Sequence, residues 1–208
     1  MKVLGVVGSK RKNGNTAYLV KQALDAIESK EIETELIFLG DYNINECTGC
    51  EGCKDTCKCV IMDDMQKLYP KILEVDAIIT GSPTYFYNIT ADMKAFIDRL
   101  YCFEIFDEDD RSVWSSINEV LGGKYAVVIA VCEQNDEKDM GFTAEAMSRP
   151  LEALGYRVID NVKVLNSFKK GDVLKNQDAL EQVKRAGKKL EKMIKLKKNT
   201  QKKLRNKK

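Results

Sequence analysis

Short apolar runs alternate with helix-period segments along most of this chain, and no other feature narrows its fold so far. Val3–Val7 is a brief apolar run stopped by Gly8-Ser9, which reads as a fully buried parallel strand. Ala17, Val20, Ala23, Leu24 and Ile27 then recur at helical spacing and predict a helix over 16–29. The run 33–39 reads as a second strand, 64–73 as a helix, and 76–80 as a third strand ending at Gly81-Ser82-Pro83. Met93, Phe96, Ile97 and Leu100 mark the inner face of the next helix. The segment 104–118, with four consecutive acids (Asp107 to Asp110) and the sole tryptophan, Trp114, reads as a loop or insertion. A fourth strand over 125–131, a helix over 142–154 stopped by Gly155, a fifth strand over 156–164 and a helix over 179–196 complete the pattern. Such alternation predicts an α/β fold: a doubly wound, five-stranded parallel sheet, order 2-1-3-4-5, with helices on both faces. Ligands of such sheets bind at the carboxyl ends of the strands, near the switch point.

At 208 residues the chain suits one domain. We place that domain at 1–196, with a cysteine-rich insertion at 47–59 and a basic C-terminal tail at 197–208. No apolar run approaches the length of a membrane span. The N-terminal apolar stretch is too short for a secretory signal, so a cytoplasmic location is expected, where disulfides are uncommon. There is no histidine. That removes the usual Ser-His-Asp and Cys-His nucleophiles and His-containing zinc sites, and leaves cofactor redox chemistry untouched. From Lys184 to Lys208 there are 13 Lys/Arg and one acid, against 21 bases and 31 acids elsewhere. No aromatic residue interleaves those lysines for base stacking, so the stretch reads as a solvated helix end and not as a nucleic-acid site.

The connection Gly8-Ser9-Lys10-Arg11-Lys12-Asn13-Gly14-Asn15-Thr16 joins the first strand to the first helix. Backbone amides there can converge on a phosphate at the helix N-terminus, where the dipole favours an anion. Gly8 and Gly14 permit close approach, Ser9, Asn13, Asn15 and Thr16 supply polar groups, and Arg11 supplies charge. The loop lacks the Gly-Lys-Ser/Thr ending of a P-loop and the G-x-G-x-x-G of a dinucleotide fold, so it suits a mononucleotide. A polar strand-to-helix turn is the plainer alternative. The connection Ser82-Pro83-Thr84-Tyr85-Phe86-Tyr87-Asn88 leaves the third strand on the same edge. It pairs exposed amides with flat aromatic surface, both of which an isoalloxazine ring needs. Three successive aromatics cannot all face one core, so at least one lines a site or an interface.

Three motifs occur in order: GSKRKNGNT, then CTGCEGCKDTCKC followed by DDM, then GSPTYFYNITADMKAFIDR. Together, from the N-terminus to about Leu100, they resemble the iron–sulfur flavoproteins within the NADPH-dependent FMN reductase-like group of flavodoxin-like proteins. The resemblance implies FMN, with its phosphate on Ser9, Arg11, Asn13, Gly14, Asn15 and Thr16. It lays the flavin ring against Ser82, Pro83, Thr84, Tyr85, Phe86 and Asn88. It also implies a homodimer or homotetramer. Relatives often carry a Gly-rich third loop after the fourth strand; here that place reads Cys132-Glu133-Gln134-Asn135-Asp136, which leaves the outer edge of the ring differently contacted or open to a partner.

Five of the seven cysteines lie in 47–59. Cys47, Cys50, Cys53 and Cys59 make C-x2-C-x2-C-x5-C, the compact spacing of the iron–sulfur flavoproteins, and suit a [4Fe–4S] cluster. Cys57 is an extra thiol able to replace Cys59. A cluster-free redox loop and a zinc site remain alternatives. Cys102 and Cys132 read as small buried hydrophobes, and Asp98-Arg99 as a surface ion pair or interface contact. The expected function is electron transfer between a ferredoxin-like one-electron donor and an acceptor, through FMN and the cluster. The alternatives are a cluster-free NAD(P)H-dependent FMN or quinone reductase and a non-enzymatic redox sensor.

Overall fold

A computed structural model describes residues 1–206; Lys207 and Lys208, the end of the expected tail, lie outside them. The chain runs β1 (Lys2–Val7), α1 (Asn15–Asp25), β2 (Glu33–Phe38), α2 (Met65–Glu74), β3 (Ala77–Pro83) and α3 (Ala91–Arg99). It continues as β4 (Glu104–Phe106), β5 (Trp114–Ser116), α4 (Ile117–Val120), β6 (Lys124–Val131), α5 (Glu145–Ala153), β7 (Tyr156–Val164) and α6 (Gln177–Arg205). The main sheet has the order β2-β1-β3-β6-β7, all parallel. Counted within that sheet alone, it is the expected 2-1-3-4-5.

Successive residues of each central strand face opposite layers, as the two-residue strand period requires. Leu4, Val6, Ile78, Ala126 and Val128 pack into one core with side chains of α2, α3 and α5, among them Leu68, Ile72, Phe96 and Met147. Val3, Val7, Ile79, Val127 and Ile129 pack into a second core with α1 and α6, among them Leu19, Val20, Val183 and Leu190. A sheet covered on both faces has no solvent side, which is why its strands read as unbroken apolar runs.

Besides helix ends that shift by a few residues, such as α1 stopping at Asp25 and not 29, three elements differ from expectation. The segment 104–118 is not an irregular loop: β4 and β5 pair as an antiparallel ribbon, followed by a short helix. Its acidic tip is folded on itself, since Asp107 Oδ1 accepts from the amides of Asp109 and Asp110. The Arg111 guanidinium lies 4.5 Å from the Phe106 ring centre and closes the ribbon. β3 extends through Gly81-Ser82 to Pro83, because β6 continues alongside and pairs with all three residues. Finally, α6 does not stop near Leu196 but runs to Arg205. Its apolar stripe is buried as far as Ile194, whereas Leu196 and Leu204 are exposed. Among the described residues no helix is long and apolar enough to cross a membrane.

Candidate functional site

The carboxyl ends of β1, β3, β6 and β7 open on a cleft of about 350 Å³. Its floor is the first loop. Gly14 precedes α1 in an extended conformation, and no side chain caps that helix. The first-turn N–H groups therefore have no capping partner and are available to an anion. Ser9, Arg11, Gly14, Asn15 and Thr16 all line the cleft. The Ser9 hydroxyl accepts from the Arg11 amide at 3.2 Å, which shapes the turn.

Two of these side chains are anchored to the loop that follows β7. The Arg11 guanidinium donates to the Phe168 carbonyl at 3.2 Å and stacks 5.5 Å from its ring centre. Asn15 donates to the Lys169 carbonyl and accepts from the Gly171 amide, both at 3.0 Å. Both polar atoms of the Asn15 side chain are thus spent on the chain, leaving its backbone N–H for a ligand.

The wall of the cleft comes from Pro83, Thr84, Tyr85 and Phe86. Tyr85 and Asn88 exchange backbone hydrogen bonds at 2.7 and 3.1 Å around Phe86 and Tyr87, whose φ angles are 45° and 67°. That is the signature of a two-residue type I′ hairpin turn, which normally demands Asn-Gly. Here two bulky aromatics hold the left-handed region, at a cost of about 1–2 kcal/mol each. The turn is held from behind. Phe142 N–H donates to the Tyr87 carbonyl, and Gly141 approaches so closely that a Cβ there would sit 2.3 Å from that oxygen. Phe86 is 95% exposed over the cleft mouth.

Three of the expected flavin-contacting residues stand back from this cleft. Asn13 faces the neighbouring groove beside Tyr18 and Phe38. Ser82 is fully buried; its hydroxyl accepts from the Thr90 amide and donates to the Pro83 carbonyl. Asn88 is absorbed in the turn, its side chain accepting from the Ile89 amide. The cleft also gathers residues that motif reading did not select: Val131, Glu133, Ser167 and Phe168. Their only signal was position, at the carboxyl ends of the last two strands.

The cysteine segment lies beyond the C-terminal end of α3, beside Asp98, Pro150 and Leu154. It has no helix or strand, and Gly49, Glu51 and Cys57 take positive φ. Cys47 and Cys50 are exposed, Cys53, Cys57 and Cys59 half-buried, and all are free thiols. Cys102 and Cys132 are buried, as expected of small hydrophobes, and burial pushes the Cys102 thiol up to about 12. Burial also raises the Cys53 thiol, and the neighbouring Cys59, Cys47 and Cys50 raise it further. The Cys50 thiol is lowered, chiefly by the Gly52 amide and the Thr48 hydroxyl. Among the described residues no group of three or more such side chains converges closely enough to hold a metal ion. The segment supplies thiol donors of the right kind and number for a cluster without gathering them to one point.

Arg99 is not on the surface and does not pair with Asp98. Its side chain is completely buried and pairs with Asp63 at 2.6 Å, while Asp98 pairs with Lys94. A charge buried to this degree has to be paired and hydrogen-bonded, and Arg99 is both. Its guanidinium also donates to the carbonyls of Asn45 (2.9 Å) and Ile61 (3.2 Å), which bracket the cysteine segment.

Residues 1–167 match the model of the NADPH-dependent FMN reductase family, and the chain belongs to that family. It is 48% identical over 99 residues to an iron–sulfur flavoprotein of Methanocaldococcus jannaschii, covering 48% of this chain and 51% of that one. An iron–sulfur flavoprotein of Archaeoglobus fulgidus is 43% identical over 100 residues, covering 48% and 46%. The chain thus matches about half the length of these curated relatives. Among solved structures, an NAD(P)H:quinone oxidoreductase from Methanothermobacter marburgensis superposes with a TM-score of 0.65 at 15% identity, covering 92% of this chain and 97% of that one. A flavodoxin from the domain Archaea gives 0.55 at 18% identity, covering 94% and 99%. These likenesses establish the flavodoxin-like fold.

Proposed function

We propose that this chain is a flavin-dependent oxidoreductase that binds FMN in the cleft and a [4Fe–4S] cluster on Cys47, Cys50, Cys53 and Cys59. In this reading it passes electrons between a ferredoxin-like donor and an acceptor. The observation that carries the reading is an uncapped helix N-terminus at the floor of an aromatic-walled cleft, with a four-thiol segment joined to that cleft through α3. Family membership and the names of the relatives support it. Bound FMN takes one or two electrons and a cubane one at a time, so the pair converts single electrons into two-electron chemistry.

The chain's own part is binding and exclusion. The first turn of α1 and Arg11 hold the phosphate end. Thr84 and Tyr85 flank the ring, and Phe86 shields its mouth from water. Glu133 sets a carboxylate at the outer rim, where it opposes negative charge on a reduced ring. The homodimer or homotetramer belongs to the same reading. Exposed Val113, Trp114, Val120 and Leu121, on the ribbon and α4, offer apolar surface for a second copy.

Anaerobic rapid mixing tests the proposal. A low-potential one-electron donor is expected to reduce the protein far faster than NADH or NADPH. Fast reduction by NAD(P)H with poor use of the one-electron donor would favour the cluster-free FMN or quinone reductase instead. That second reading draws on the ungathered thiols.

A further inference from the structure

Arg99 is the largest fully buried side chain in the molecule as described, and the mechanism so far gives it no task. Its side-chain hydrogen bonds run to the two necks of the cysteine segment. One neck is Asn45, whose carbonyl accepts from Nη1. The other is Ile61 and Asp63, which accept from Nη2 and from both nitrogens respectively. Asp63 completes the closure by accepting from the Asn45 amide at 2.9 Å and from the Met65 amide at 3.0 Å. Gln66 adds two bonds, to the carbonyls of Cys59 and Ile61. A planar fork of five donors can hold two chain segments at a fixed spacing in a way that a lysine cannot.

The fork is not fully used. Arg99 Nε is buried and has no hydrogen-bond partner. A buried orphan donor on a charged group is costly and calls for an explanation. Tyr69 braces the backbone behind the fork, its hydroxyl donating to the Arg99 carbonyl at 3.0 Å.

We propose that Arg99 is the positioning residue of the cysteine segment: its fork fixes the distance between the two necks and so sets where the thiols between them can reach. This rests on the cluster reading above. Hydrogen bonds to ligand sulfurs and nearby charge set the potential of an iron–sulfur centre, so the same residue tunes it. A cation beside the cluster favours its more negative, reduced state.

Two readouts test this, one independent of the metal. In cluster-free protein, Arg99→Met is expected to leave FMN affinity within about twofold and to speed amide hydrogen exchange over 45–63 about tenfold or more, with β1, β3 and β6 unchanged. Unchanged exchange over 45–63 in this variant overturns the proposal. Should Arg99→Met not fold, Asp63→Asn loosens the same necks with less disturbance and is read the same way. In reconstituted protein, Arg99→Lys is expected to hold the midpoint potential near that of the wild type while failing to restore exchange protection; Arg99→Met is expected to shift the potential to more negative values. Full restoration of both by lysine overturns the fork. Wild-type protein without iron after reconstitution sinks the cluster reading instead, and the exchange arm still decides the role of Arg99.

Discussion

Phe86, Arg11 and Asp63 are each held by a local geometry that only the structure shows. Phe86 sits in a left-handed turn position with its ring in solvent. Replacing it with Asn, which tolerates that conformation, is expected to stabilise the protein by about 1 kcal/mol, read as a higher denaturant midpoint at unchanged slope. A lower midpoint would mean that the ring packs on something that stabilises it. Arg11 places the only formal positive charge among the residues lining the cleft. Arg11→Ala is expected to weaken FMN binding about 10–100-fold, since a charged hydrogen bond contributes about 1.5–3 kcal/mol. An equilibrium titration of apoprotein with FMN checks this. Asp63 is held below the usual carboxylate range: burial opposes its charge, but Arg99 and the amides of Asn45 and Met65 outweigh it. An unfolded Asp titrates near pH 3.9, at roughly the model-peptide value, so the folded group takes up its proton only at lower pH. Its contribution is therefore complete above the unfolded value and is lost as pH falls through the folded one. The stability difference between wild type and Asp63→Asn should be constant above about pH 5 and shrink below about pH 4. A difference that ignores pH would show that the carboxylate charge is not what holds the necks.

At the scale of elements, α3 ties the two candidate cofactor regions together. Its N-cap, Thr90, donates its hydroxyl to the Gly8 carbonyl at 2.7 Å, and the Thr90 amide donates to Ser82. Its last residue, Arg99, holds the cysteine segment. Nine residues span roughly 13 Å at about 1.5 Å per residue, so one rigid rod sets the spacing between both regions. The apolar face of this helix was legible from Met93, Phe96 and Ile97; the role of Arg99 was not, because its partner lies 36 residues away. The ribbon of β4 and β5 was hidden for a related reason. Its strands are three residues long and its acidic tip satisfies itself, so neither periodicity nor composition marks it. The second layer is tightest where α6 crosses α1: a Cβ on Gly187 would lie 2.0 Å from the Ala23 carbonyl. Gly187→Ala gains about 1 kcal/mol of helix propensity but forces the helices apart, at about 1–3 kcal/mol or more. Net destabilisation by chemical denaturation is the expected result.

For the whole molecule, the strand–helix rhythm contained the topology, because buried parallel strands must be apolar on both faces and their order follows from right-handed crossovers. That the first loop and the aromatic turn line one cleft was legible from their motifs, since both leave the carboxyl ends of neighbouring strands. The loop after β7 was not, because it joins the cleft only through contacts such as Asn15 with Lys169, more than 150 residues apart in sequence. Charge is divided unevenly along the chain. α6 carries its basic residues on a helix whose last turns leave the core, while the rest of the chain is net acidic. The central claim is that one such molecule holds both a flavin and a cubane. It is tested most directly by counting iron, acid-labile sulfide and FMN per chain in protein purified and reconstituted without oxygen. About four iron, four sulfide and one FMN per chain are expected. FMN at about one per chain, with neither iron nor sulfide after reconstitution, would contradict the account.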